Sequence, residues 1–242
     1  MQTALAGLRA YDKENAGRTD EKGEPVEAPN WIMGSVAAVM LLLFFSVTVI
    51  TDSSVAWFAS GSADARGILA GDLWRTVTAL TLHGDIVHAV SNAFATTIFL
   101  GALSGVLGAG LATAATLLAG AAGNLVNAFL QGPPHVAVGA STAVFGAVGI
   151  LGGFAMVNQR SRVVGGRRAW VPVVAALALL AMLGTGGARV DIWAHLFGFV
   201  LGGALGGVIG YLRPHQPGSI VQWISGSGAL GVIIYCWTLA LR

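Results

Sequence analysis

The sequence predicts an all-α polytopic membrane protein, and three observations predict it. Of 242 residues, 55% are hydrophobic and only 10% are charged, against about one quarter charged in an ordinary soluble domain. Ten of the charged side chains crowd into the first 30 residues. From Ile86 to Gln159, 74 consecutive residues contain no Asp, Glu, Lys or Arg. A soluble fold places charged residues on its surface and cannot leave such a length bare. A spanning helix needs roughly 20 mainly apolar residues, so this chain can cross a bilayer several times. Soluble, collagen-like and disordered classes drop out.

The elements follow in order. Residues 1–30, which include Pro25 and Pro29, read as a charged, solvated tail without an apolar signal-peptide region. Span one covers about Trp31 to Ile50. A segment at 51–84 carries Asp52, Asp64, Arg66, Asp72 and Arg75 beside Trp57 and Trp74, and reads as a partly embedded loop at the membrane–water interface. Span two is placed at about Ile86 to Leu103 and span three at about Gly108 to Leu130, with the break in the Gly-rich run 101–110. Gln131-Gly132-Pro133-Pro134-His135 stops span three, since two prolines cannot continue a helix. Span four runs from about Val138 to Val157, followed by a basic loop with Arg160, Arg162, Arg167 and Arg168. Span five, about Trp170 to Leu183, is short and contains Pro172; span six is about Ile192 to Leu212 and span seven about Ile220 to Leu241. Lys and Arg favour cytoplasmic loops, and their distribution predicts the N-terminus inside and the C-terminus outside. Loop 51–84, turn 131–137 and the start of span six then share the exterior face.

The net charge of +2 and the acidic balance of the tail give no footprint for nucleic acid. The single cysteine, Cys236, excludes an intrachain disulfide and any multi-cysteine metal site. His83 and His88 lie five residues apart with no Cys or acidic cluster beside them, so no metal is predicted.

Polar side chains in hydrocarbon are costly and often functional. Ser141 alone is an ordinary small packing residue, but it stands at the start of span four behind Gly139, where backbone can approach a reacting carbonyl. Position 143 is alanine, so the segment is not the G-x-S-x-G elbow. His195 lies about four residues into span six, ahead of Gly198, Gly202, Gly206 and Gly210. That ladder gives one helix face almost no bulk and lets the imidazole meet a neighbouring backbone. Serine and histidine within hydrogen-bond reach are the minimum for an activated nucleophile. His88 and Asn92 share a helix face, as a polar helix–helix contact or as donors to a developing oxyanion. Asp191, at the start of span six, reads as a helix cap rather than a third catalytic member.

Taken together, these residues resemble the rhomboid family of intramembrane serine proteases over about Trp31 to Leu212. The resemblance is carried by Trp74-Arg75, His83, His88-Ala-Val-Ser-Asn92, Gly139-Ala-Ser141 with Gly146, and Ala194-His195-Leu-Phe-Gly198 with Gly202. It implies a six-transmembrane-helix bundle plus one C-terminal helix, divided as tail 1–30, core 31–212, and linker with seventh helix 213–242. It implies Ser141 as nucleophile and His195 as general base. His88, Asn92 and the Ser141 N–H would form the oxyanion pocket, Phe145 would stack on the histidine, and Gly139, Gly198 and Gly202 would allow close packing. Thr142 departs from the glycine many members carry. The implied activity is cofactor-free hydrolysis of peptide bonds in membrane-protein substrates presented laterally through the bilayer of a bacterial-type cytoplasmic membrane. A catalytically silent relative that binds or escorts membrane clients is the alternative. A small transporter or channel is a third reading, and it leaves the setting of Ser141 unexplained.

Overall fold

Apolar runs of about 20 residues become helices because backbone in hydrocarbon must pair its own N–H and C=O groups. A computed structural model describes residues 28–50, 54–159, 174, 178, 191–212 and 216–242. The tail as far as residue 27, the basic loop 160–168, and span five apart from Val174 and Ala178 lie outside the described residues.

The elements are α1 (Trp31–Ile50), α2 (Ser54–Gly61), β1 (Ala63–Asp64), α3 (Ala65–Ala70), α4 (Arg75–Thr78) and a 3-10 turn (Ala79–Thr81). They continue with α5 (Ile86–Leu107), α6 (Ala109–Gln131), β2 (Val136–Ala137), α7 (Ser141–Gln159), α8 (Ile192–Leu212) and α9 (Ser219–Ala240). Five of these helices, α1, α5, α6, α8 and α9, are long and apolar enough to cross a membrane. The apolar part of α7, Ser141–Val157, is shorter. The fold is an all-α polytopic membrane bundle.

The short helix is the central one. Every residue from Gly139 to Ile150 is buried, with α5, α6 and α8 packed around α7. Lipid tails are as apolar as leucine, so helices in a bilayer associate through close packing rather than hydrophobic exclusion. Here α7 and α8 approach through their glycines. A Cβ on Gly198, Gly202 or Gly206 would run into the main-chain oxygens of Thr142, Gly146 and Ile150 respectively. From the other side, a Cβ on Gly149 or Gly153 would meet the oxygens of Phe199 and Gly203.

Two expectations need correction. The break between spans two and three does fall in the Gly-rich run 101–110, but at Gly108 alone, with φ +80°, so α5 continues to Leu107 instead of ending near Leu103. Gly101 and Gly105 remain helical and make room for other backbone: a Cβ on Gly101 would press on Trp31, and one on Gly105 on Ala28. The segment read as an embedded loop is mostly short helix from Ser54 to Thr81. Local capping accounts for this. The Asp64 carboxylate accepts the N–H groups of Arg66 and Gly67 at the start of α3, and Gly71 ends it at φ +112°. Arg75 then staples the segment together, donating to the carbonyls of Ala59 (2.9 Å) and Ser62 (3.2 Å) and to Asp72 (3.1 Å). β1 pairs antiparallel with β2, Ala63 opposite Ala137, and so ties this segment to the strand that leads into α7.

Candidate active site

Three helix starts supply the polar groups. Ser141 is the first residue of α7, His195 lies in the first turn of α8, and His88 in the first turn of α5. Helix starts carry unpaired N–H groups and partial positive charge, so their meeting favours anionic species.

Ser141 Oγ and His195 Nε2 are 2.7 Å apart, with both residues buried at 6% and 5% exposure. The Phe145 ring stacks on the imidazole, centroids 4.5 Å apart and planes 12° from parallel. Phe145 is one helical turn beyond Ser141, so the helix face that presents the hydroxyl also fixes the ring that receives it. Gly139 adopts φ +122°, a conformation that costs glycine nothing. A Cβ there would lie 2.6 Å from His88 Nε2, so the imidazole of His88 rests directly on the backbone preceding Ser141. The Asn92 amide donates to the His88 carbonyl at 3.0 Å, while its Oδ1 is buried without a partner among the described residues. Gly198 and Gly202 bring α8 against α7, and Thr142 fits between helices: its methyl faces the gaps left by Gly123 and Gly198. The fold thus brings Ser141, His195, Phe145, Gly139 and His88 together, sets Gly198 and Gly202 in the packing beside them, and leaves Asn92 one helical turn along α5 from His88.

Asp191 points elsewhere. Its Oδ1 accepts the Ala194 N–H at 3.0 Å and caps α8, while Oδ2 accepts from His135 Nε2 at 2.7 Å and from the Asn127 amide. Among the described residues the Nδ1 of His195 is buried without a hydrogen-bond partner, and none of their carboxylates bonds the imidazole from behind.

Other supports had no positioning role in the reading of the sequence. The loop before Ser141 hangs from the 3-10 turn region: Gly139 N–H donates to Ala79 O at 2.9 Å, and Ala140 N–H donates to His83 Nε2 at 3.3 Å. His83 is fully buried, and its burial, reinforced by the neighbouring His88, lowers its pKa to about 4. It stays neutral at ordinary pH and can accept that N–H. His135 ties the turn after α6 to Asp191 and also accepts the Ala65 N–H through its carbonyl. The sequence marked His83 as a rejected metal ligand and as part of the family pattern; nothing local marked His135 or Ala79.

The Rhomboid domain model matches residues 70–212, more than half of the chain. The chain belongs to the rhomboid family. Ser141, His195, His88 and Asn92 all fall within the matched segment of this rhomboid, whereas α1 and α9 fall outside it. YdcA of Bacillus subtilis (strain 168), which carries a rhomboid-protease name, is 29% identical over 159 residues, covering 66% of this chain and 77% of that protein. Rhomboid-like protease 3 of Toxoplasma gondii is 34% identical over 149 residues, covering 60% of this chain and 55% of its own length.

Proposed function

We propose that this rhomboid is an intramembrane serine endopeptidase that hydrolyses peptide bonds in or near transmembrane segments of other membrane proteins. The observation that carries the proposal is the 2.7 Å approach of Ser141 Oγ to His195 Nε2 at a buried meeting of helix starts. That two relatives are named as proteases supports it further.

In this mechanism the Ser141 hydroxyl donates to His195 Nε2 and attacks the scissile carbonyl carbon as its proton passes to the imidazole. The resulting oxyanion is held by the Ser141 N–H together with His88 and Asn92. Such donors act more strongly away from water, and one alone is typically worth about 10²–10³ in kcat. The His195 imidazolium then returns its proton to the leaving amine, giving an acyl-Ser141 enzyme. Water, deprotonated by His195, releases the acid product and restores the hydroxyl. No step calls for a metal or nucleotide. A substrate helix hides its peptide bonds in internal hydrogen bonds, so it must unwind at the cleavage point. Small or helix-breaking residues at the site end of the bundle favour this. The charge distribution supports a reading with that end outside and the N-terminus inside.

The test is cleavage of a model transmembrane substrate by purified protein. Ser141→Ala and His195→Ala are expected to abolish turnover while leaving the unfolding midpoint close to that of wild type. Cleavage by Ser141→Ala at the wild-type rate overturns the assignment. An inactive wild type that still binds and stabilises a membrane client points instead to the silent relative.

A further inference from the structure

Helix α9 lies wholly beyond the family-matched segment, yet the structure ties it to both ends of the bundle. At one end Gln222 closes the break between α5 and α6. Its Oε1 accepts the N–H groups of Gly110 (2.8 Å) and Leu111 (3.0 Å), and its Nε2 donates to Leu107 O at 2.7 Å. These are the groups that helix ends leave unpaired. Glycine at 108 and 110 makes the approach possible, since a Cβ at either would collide with Gln222.

At the other end stands Trp237. The remaining aromatics of α9, Trp223 and Tyr235, are 76% and 60% exposed, as suits a lipid-facing helix; Trp237 is 8% exposed. Its ring packs between Phe44 and Trp57, centroids 5.2 and 5.0 Å away, and covers Gly61, where a Cβ would strike it. A buried indole N–H needs an acceptor, and Trp237 Nε1 donates to Thr81 Oγ1 at 3.1 Å. Thr81 Oγ1 in turn donates to Thr78 O at 2.8 Å. Thr81 closes the 3-10 turn whose first residue, Ala79, accepts the Gly139 N–H. Two residues after Thr81, His83 accepts the Ala140 N–H. The indole therefore grips the short segment from which both residues before Ser141 are suspended.

Resting on the reading of Ser141 as nucleophile, we infer that α9 braces the catalytic loop and that Trp237 is a positioning residue acting through Thr81 on Gly139 and Ala140. Displacing a reacting group from its productive geometry slows the chemical step, so the effect falls on turnover rather than on substrate binding.

The experiment is a double-mutant cycle on the full chain, with kcat, KM and unfolding midpoint measured for a model transmembrane substrate. Trp237→Phe keeps an aromatic ring and removes the N–H; Thr81→Val keeps the shape and removes the hydroxyl. Each is expected to lower kcat by about five-fold, the scale of one neutral hydrogen bond, with KM unchanged. The double variant should be no slower than the slower single, because both remove the same hydrogen bond. Thr81→Ser should restore turnover. Gln222→Ala, at the far end, should lower the midpoint and leave kcat alone. Wild-type kcat in Trp237→Phe, or single effects that multiply in the double variant, overturns the inference. Full activity in Ser141→Ala within the same series would instead remove the catalytic reading and leave the brace without a loop to position.

Discussion

Ser141 gains its setting from its neighbours rather than from its own chemistry. Gly139 at positive φ brings backbone against His88, Phe145 fixes the His195 ring, and the N–H of Ala140 is tied down by His83. His83 makes a pH dependence readable. Its pKa in the folded protein is about 4, below the ordinary 6.5, chiefly through burial and then through His88. The unfolded chain takes up this proton first as pH falls, so the stability His83 contributes is present above about pH 6.5 and declines as pH drops toward 4. The unfolding midpoint should decline across that window, and His83→Gln, which keeps an acceptor but does not titrate, should flatten the decline. Parallel curves for the two proteins would contradict it. What the sequence showed at this scale was uneven. Ser141, His88 and Asn92 stood out because polar groups are rare in a charge-free stretch, and His195 because it precedes the glycine ladder of span six. The contacts of His83 with Ala140 and of Asp191 with His135 did not, since each joins residues more than 50 apart that no periodicity links.

Among the elements, α7 and α8 show most clearly how composition becomes structure. The four-residue glycine ladder on α8 was legible as a smooth face, because helix geometry alone puts those positions in line. Its partner was not legible, since α7 answers with glycines that follow no such ladder and with bare backbone. At 101–110 the same residue type located the break but not its position, for helical Gly101 and Gly105 serve close packing and only Gly108 turns the chain. Composition cannot separate a glycine kept for lack of a side chain from one kept for its φ. The α7–α8 contact makes a paired prediction. Gly202→Ala puts a methyl against the Gly146 oxygen, whereas a methyl at Gly207 meets, among the described residues, only Val157 Cγ2 at 3.9 Å. Gly202→Ala should cost about 1–3 kcal/mol by overpacking in reversible unfolding from detergent. Gly207→Ala should be neutral or slightly stabilising, as helix propensity favours alanine. Equal effects would refute the close approach of these helices.

For the whole molecule, solvent class came directly from the sequence: a 74-residue stretch without charge has no place in water. The segment from Ser54 to Thr81 was harder, because its mixture of charged, aromatic and small residues fits an interfacial loop as well as a set of capped short helices. In the fold this segment is the hub, receiving Arg75 staples, the β1–β2 pairing and the Trp237 anchor, and suspending the loop that ends at Ser141. The proposed function turns on one chemical claim, that His195 activates Ser141, and the buried serine–imidazole pair at 2.7 Å is the observation that supports it. The most direct measurement is mass-spectrometric mapping of fluorophosphonate adducts on the purified protein and on His195→Ala. The expected result is an adduct on Ser141 in the wild type that is absent, or formed orders of magnitude more slowly, in His195→Ala. No adduct on Ser141, or equal labelling in both proteins, would contradict it.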